Sequence, residues 1–143
     1  MELGRRAATP ADVPFLLALR RETMDAYLAA SGMDTSDEAH LTRLMYAFEH
    51  AQVLTRGNEP VGLLKLRRSA EAWEIVQLQL ASALQGQGLG RSLLQEILAD
   101  AAAAQAAVKL SVLKTNPARH LYERLGFKVI AEDEHEYHMR HAG

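Results

Sequence analysis

No cysteine occurs among the 143 residues of this chain. A disulfide framework, a thiol nucleophile and a thiolate zinc site are therefore excluded, and a reducing, cytoplasmic setting is the expectation. Long apolar runs are absent too. None approaches the roughly 20 residues that span a bilayer, and the opening MELGRRAATPAD lacks the apolar stretch of a signal peptide. Neither sign of charge dominates, with 16 basic against 18 acidic residues, so neither nucleic acid nor an anionic membrane is expected as main partner. Aromatics are scarce at 6%, yet 48% of the residues are hydrophobic, enough for one core and too many for a disordered chain. The length suits a single domain over residues 1–143.

What is present falls into regular pieces. Leu3 to Ala7 is a short strand candidate. Thr9-Pro10-Ala11-Asp12 predicts a helix start, with threonine as cap, proline in the first turn and an acid three residues after the cap. Phe15, Leu16, Leu19, Met24, Tyr27 and Leu28 continue that helix to the break at Ser31-Gly32, and Ser36-Asp37-Glu38 opens a second one. Strands are predicted over 52–56 and 61–67 around a Gly57-Asn58-Glu59-Pro60 turn, then from Trp73 to Leu80. A helix runs from Gly88 to about Ala104, where the alanine run 101–104 reads as helix propensity. Val108 to Leu113 is a strand. Asn116-Pro117 caps a short helix that stops at Gly126, and strands follow over 127–131 and 136–140. The order β-α-α-β-β-β-α-β-α-β-β predicts an α/β (α+β) fold with a mixed sheet and helices on both faces.

The most informative segment is Leu78-Gln79-Leu80-Ala81-Ser82-Ala83-Leu84-Gln85-Gly86-Gln87-Gly88-Leu89-Gly90-Arg91-Ser92. A strand runs into three alternating glycines and then directly into an amphipathic helix. Glycine permits positive φ and a close ligand approach. The free N–H groups of the first helical turn then favour an anion such as a pyrophosphate. Two better-known phosphate loops do not fit. A P-loop ending at Gly90-Arg91-Ser92 would need glycine where Gln85 stands and lysine where Arg91 stands, and a dinucleotide fingerprint from Gly86 and Gly88 meets Arg91 at its last glycine.

Gln85-x-x-Gly88-x-Gly90 does match the Q/R-x-x-G-x-G/A signature of the GNAT acetyltransferase superfamily. One strand downstream, Asn116-Pro117-Ala118-Arg119-His120-Leu121-Tyr122-Glu123-Arg124-Leu125-Gly126-Phe127 resembles that family's N-x-x-A-x-x-L-Y-x-x-x-G-F hallmark, with the alanine shifted to 118. The opening Arg6 to Asp12 also looks like the family's first strand and helix. The chain is similar in particular to small bacterial members without an assigned substrate.

The resemblance implies a mostly antiparallel sheet of about seven strands, splayed at an acyl-CoA cleft, with about four helices. It implies acetyl-CoA as co-substrate, no metal, and an amine on a small molecule or protein as acceptor. Carried over by motif position, the Leu78 and Leu80 backbones would bond the pantetheine arm. Gln85, Gly86, Gly88, Gly90, Arg91 and Ser92 would surround the pyrophosphate, and Asn116 would contact pantetheine, a role compatible with its being a helix cap. Family members often dimerise, so a homodimer is one expectation, although no interface is legible.

Acetyl transfer to an amine needs a neutral nucleophile. An amine of pKa about 10.4 carries a handicap of roughly 4–5 kcal/mol at pH 7, which a base or a pKa-lowering pocket offsets. The resemblance makes Tyr122 the acid for the leaving thiolate, the alternative being a packing tyrosine beside Leu121 and Leu125. It makes Glu74, six residues before Leu80, the base candidate. Strand alternation puts Glu74 on one face with Val76, Leu78 and Leu80, an apolar setting that would raise its pKa; the alternative is a solvated glutamate. Leu110-Ser111-Val112 offers no acid, so a water relay is open. Gln77, Gln79 and Tyr27 are acceptor-site candidates.

Other signals lead elsewhere. His135, His138 and His141 would alternate faces of a strand and so do not converge on a metal. His40, His50 and His120 read as surface residues, and Arg20-Arg21 and Arg67-Arg68 as solvated pairs. Trp73 is expected in the core or a pocket wall. The competing functional readings are a non-catalytic acyl-CoA sensor and an adaptor module, the intact glycine loop weighing against the second.

Overall fold

The computed structural model describes residues 3–142. Seven strands, β1 (Gly4–Ala7), β2 (Ala51–Arg56), β3 (Glu59–Arg68), β4 (Ala72–Leu80), β5 (Ala107–Leu113), β6 (Lys128–Glu132) and β7 (Glu136–His141), form one sheet in the order β1-β2-β3-β4-β5-β7-β6. Only β4 and β5 run parallel; every other neighbouring pair is antiparallel. The four α-helices are α1 (Val13–Ala30), α2 (Asp37–Met45), α3 (Leu89–Ala103) and α4 (Ala118–Arg124). The expected fold class and element order are therefore present.

Local chemistry explains several boundaries. Thr9 stands before a single 3-10 turn, Pro10–Asp12, where the Asp12 carboxylate accepts the Thr9 N–H at 2.8 Å; α1 proper begins one residue later. The Ser36 hydroxyl caps α2 by accepting the Ala39 N–H at 3.1 Å. Between β2 and β3 the turn is tighter than the sequence suggests. Arg56 already pairs with Glu59, so only Gly57 and Asn58 connect the strands, and Gly57 adopts the positive φ that a glycine-first two-residue turn needs.

The sheet separates two apolar layers. On one face Leu93, Leu94, Ile97 and Ala101 of α3 pack against Leu54, Leu64, Leu66, Trp73, Ile75, Val108, Leu110 and Met139, with Leu121, Tyr122 and Leu125 at the edge. On the other, Leu16 and Leu19 of α1 and Leu44 of α2 cover Val53 and Leu63. Trp73 is thus a core residue. Helices lie on both faces, which leaves only the sheet's middle, where β4 and β5 meet, as a seam.

That seam is open. β4 and β5 pair from Ala72↔Ala107 to Ile75↔Leu110 and no further. Beyond that point 76–80 keeps β3 as a neighbour but has no partner on its other side.

Candidate active site

The gap between β4 and β5 continues into a cavity of about 790 Å³, a size typical of small-molecule sites. Its walls are Arg20, Met24 and Leu28 of α1, His40 and Arg43 of α2, Glu74 to Gln79 of β4, Leu110 to Leu113 of β5, then Asn116 and Tyr122. Sequence-distant elements thus converge on the open seam.

Backbone direction along β4 follows from one bond. The Ala81 N–H donates to the Val61 carbonyl at 2.8 Å, toward β3. Strand alternation then aims the Leu80 and Leu78 N–H groups away from β3, at the gap. The Gln85 amide nitrogen donates to the Leu80 carbonyl at 3.1 Å and folds the loop back onto the strand end. Gly86 and Gly88 stand at φ 81 and 78, and Gly88 is the left-handed N-cap of α3. The first intrahelical bond is Ser92 N–H to Gly88 carbonyl at 3.0 Å. The amides of Leu89, Gly90 and Arg91 therefore open α3 with no i−4 carbonyl inside the helix. Gln85, Gly86, Gly88, Arg91 and Ser92 are exposed around this helix mouth.

The side-chain pattern of β4 departs from simple alternation. Lys65 pairs with Gln77 while Leu66 pairs with Ile75, which leaves Val76 as an extra residue, a β-bulge. The bulge swaps the faces. Leu78 and Leu80 join Trp73 and Ile75 in the α3 layer, whereas Glu74 lies on the opposite face. The expectation that Glu74 shares an apolar face with Leu78 and Leu80 is therefore wrong, because alternation was carried unbroken through a bulge. Glu74 instead lines the cavity and pairs with Arg67, whose other contact is the Tyr46 hydroxyl at 3.2 Å. That carboxylate raises the Arg67 pKa through the shared hydrogen bond.

Gln77 and Gln79 are 6% and 7% exposed and line the cavity. Both polar atoms of the Gln77 amide and the Gln79 carbonyl oxygen are buried without a hydrogen-bond partner. Native interiors rarely leave such atoms unpaired. Tyr27 is not among the cavity walls; its carbonyl accepts the Thr115 hydroxyl at 2.8 Å and ties the end of α1 to the loop after β5. The Asn116 carboxamide oxygen accepts the Ala118 N–H at 2.9 Å while the residue also lines the cavity; the bond closes an Asx turn just ahead of α4, whose N-cap is Pro117 and not the expected Asn116.

Tyr122 meets Phe127 edge-on at 5.9 Å and presents a hydroxyl with no protein partner among the described residues. Burial pushes its pKa up to about 12, so the phenol is neutral at physiological pH.

Three residues that read as ordinary in the sequence are central here. Arg20 and His40, expected in solvent, are 3% and 1% exposed, and Lys65 is fully buried. Arg20 Nε donates to His40 Nδ1 at 3.2 Å, and His40 Nε2 donates to Asp25 Oδ1 at 2.6 Å. Lys65 Nζ donates to the Leu44, Tyr46 and Arg43 carbonyls, capping the C-terminal end of α2 from the sheet. Burial, with Arg20 and Arg43 nearby, lowers Lys65 to about 8, and burial together with Arg43 lowers Arg20 to about 10. A signal existed for both. Arg20 lies one turn after Leu16 on the buried stripe of α1, and Lys65 alternates in register with the buried Leu63.

His135, His138 and His141 form no metal centre. His138 is held by Asp133 at 2.9 Å and Ser111 at 2.7 Å, and His141 meets Phe127 edge-to-face at 5.4 Å. Among the described residues no group of three or more His, Asp or Glu could hold a metal ion, and no helix is long and apolar enough to cross a membrane.

Comparison with known proteins agrees with this architecture. No curated protein matches the chain. Among solved structures, PaiA N-acetyltransferase from Thermoplasma acidophilum in complex with coenzyme A aligns at a TM-score of 0.75, with 18% identity over 99% of each chain. An acetyltransferase from Thermus thermophilus aligns at 0.77, with 24% identity over 98% of this chain and 96% of that one. The ribosomal-protein-S18-alanine N-acetyltransferase from Escherichia coli aligns at 0.70, with 17% identity over 97% and 92%. At these identities the likeness is one of fold. The family model of the acetyltransferase (GNAT) domain matches residues 26–142, a span that takes in the open β4–β5 seam, the glycine loop and Tyr122, and the chain accordingly belongs to the GNAT acetyltransferase family.

Proposed function

We propose that the protein is an N-acetyltransferase that moves the acetyl group of acetyl-CoA directly to a primary amine. The observation that carries this reading is the stretch of β4 beyond Ile75, paired with β3 but without β5, whose inward amides lead to the exposed N-terminus of α3. An extended amide-bearing arm fits against Leu78 and Leu80 as a strand does. Its diphosphate then meets the amides around Gly88, Gly90 and Arg91, with Gln85, Gly86 and Ser92 beside them. Each anion contact at such a terminus is worth roughly 0.3–2 kcal/mol. Asn116 borders the same channel.

The reaction joins the amine nitrogen to the thioester carbonyl carbon and then breaks the carbon–sulfur bond. Tyr122 serves the leaving sulfur. With its phenol near 12 and a thiol near 8.5, complete proton transfer is uphill by about 5 kcal/mol. Tyr122 therefore acts chiefly as a hydrogen-bond donor that stabilises the developing thiolate, a charge-assisted bond in a dry cleft. Glu74, held by Arg67, receives the amine proton, directly or through water. Gln77 and Gln79 orient the acceptor.

The test is release of free thiol from acetyl-CoA against a broad amine panel, beside calorimetry of coenzyme A binding. Micromolar coenzyme A binding with thiol release for at least one amine is expected. Absence of binding would sink the reading, and binding without turnover of any amine would turn it into an acyl-CoA sensor.

A further inference from the structure

The acceptor end of the cavity holds an unsatisfied cation. Arg20 is 3% exposed and lines the cavity, and its one hydrogen bond runs from Nε to His40. Its two terminal nitrogens make no hydrogen bond or ion pair among the described residues, and Asp25 acts on the guanidinium only through its charge. The nearest candidate, Asp25, is engaged by His40 Nε2 at 2.6 Å. Buried guanidinium groups are ordinarily paired, since an unpaired charge in the interior is costly. Asp25, His40 and Arg20 also form a chain that fixes the guanidinium plane, leaving its two-nitrogen edge free, the edge that takes a carboxylate bidentately. The same cavity is lined by Gln77, whose amide has no hydrogen-bond partner among the described residues, and by Gln79, whose carboxamide oxygen has none. Arg43 adds positive potential, enough to lower the Arg20 pKa further. Of the acids lining the cavity, Glu74 is paired with Arg67 and Glu136 is half-buried at the β7 side, while Asp34 and Glu38 are exposed and disfavour a dianion entering past them.

We infer that the acetyl acceptor is an amine that also carries a carboxylate, an amino acid or close analogue, with the carboxylate on Arg20 and its polar remainder on Gln77 and Gln79. This rests on the acetyltransferase reading above. The step is unchanged: the acceptor nitrogen bonds to the acetyl carbon, the carbon–sulfur bond breaks with its electron pair on sulfur, and the amine proton passes to the base as the thiolate leaves and takes a proton from solvent. The product is an N-acetylated carboxylate.

The experiment compares kcat/KM for thiol release from acetyl-CoA with amino acids, their carboxamides and aminoalkyl phosphates. The acid should exceed its amide by about 10²-fold or more, as expected where a buried polar group loses its only partner. In Arg20→Gln the acid-to-amide ratio should fall to within about 3-fold of one, and Arg20→Lys, which keeps charge but not the fork, should fall between. Coenzyme A affinity and the unfolding midpoint are measured on both variants; should Arg20→Gln not fold, Arg20→Lys decides alone. Equal rates with acid and amide, faster turnover of the phosphates, or an unchanged ratio in the folded variants overturns the inference. So does binding of coenzyme A by the wild type without turnover of any carboxylate-bearing amine, and there the cofactor assignment survives. A wild type that binds no coenzyme A removes both.

Discussion

The open seam and the glycine loop beyond it differ at their two ends. The glycine-loop end offers main-chain amides: Leu78 and Leu80 on a strand paired with β3 alone, then the first turn of α3 after Gly88. The opposite end is made of buried side chains from three elements, Arg20, His40, Glu74, Gln77 and Gln79, braced by Lys65 under α2. Backbone groups are the same whatever residues carry them, so the first end suits a ligand that does not vary. Side chains differ residue by residue, so the second end is the one a change of residue can retune. Tyr122 sits between the two.

This contrast predicts where substitutions act. Tyr122→Phe, at the junction, should lower kcat by about 10²–10³-fold while leaving coenzyme A affinity within about 3-fold. Steady-state kinetics with calorimetry checks this, and equal activity in the variant would remove Tyr122 from the mechanism. Glu74→Gln should lower kcat by about 10²-fold and abolish the limb of the pH–rate profile that reports the base. A variant that keeps the wild-type limb assigns the proton to water instead.

Lys65 tests the brace. Its pKa is about 8 in the fold against an ordinary 10.5, so between those values the unfolded chain binds the extra proton. Wild-type stability should then rise with pH across that window and lose the gain as pH falls through 8. The stability of the wild type relative to Lys65→Met, followed by denaturant unfolding, should increase by roughly 1–3 kcal/mol from about pH 7 to about pH 10.5. A flat difference would mean the ammonium is no worse off than in water.

The smallest effect belongs to the backbone end. Gly88→Ala forces an L-residue to φ 78, at about 1–2 kcal/mol, and should weaken coenzyme A binding about tenfold. Gly90→Ala should do almost nothing, since φ there is helical and an added Cβ meets Leu80 Cδ1 at an ordinary 3.6 Å. Comparable losses in both would show that space, rather than backbone conformation, limits the loop.

How much of this was legible beforehand follows the same division. Gln85, Gly86, Gly88 and Gly90 announce their loop because the conformations they permit are local, and Asn116 to Phe127 does likewise for α4 and Tyr122. The bulge at Val76 leaves a single mark, the adjacent apolar pair Ile75-Val76 where the alternation changes phase, and carrying the alternation straight through it reverses which face Glu74 occupies. Arg20 and His40 looked like surface charge because their burial depends on α1, α2 and the sheet closing around them. The tighter Gly57-Asn58 turn was missed for a smaller reason, since Glu59 and Pro60 are poor strand formers that pairing with β2 nevertheless recruits.

By itself the sequence determined the order of elements, the helix caps and the glycine-lined helix mouth, because these depend on residues within a few positions of one another. Tertiary structure alone decided the acceptor end, where Arg20, His40, Lys65 and Gln77 meet across a bulged sheet and two helices. Local spacing marks Arg20 and Lys65 as inward positions, but the partners that desolvate and bond them come from residues distant along the chain.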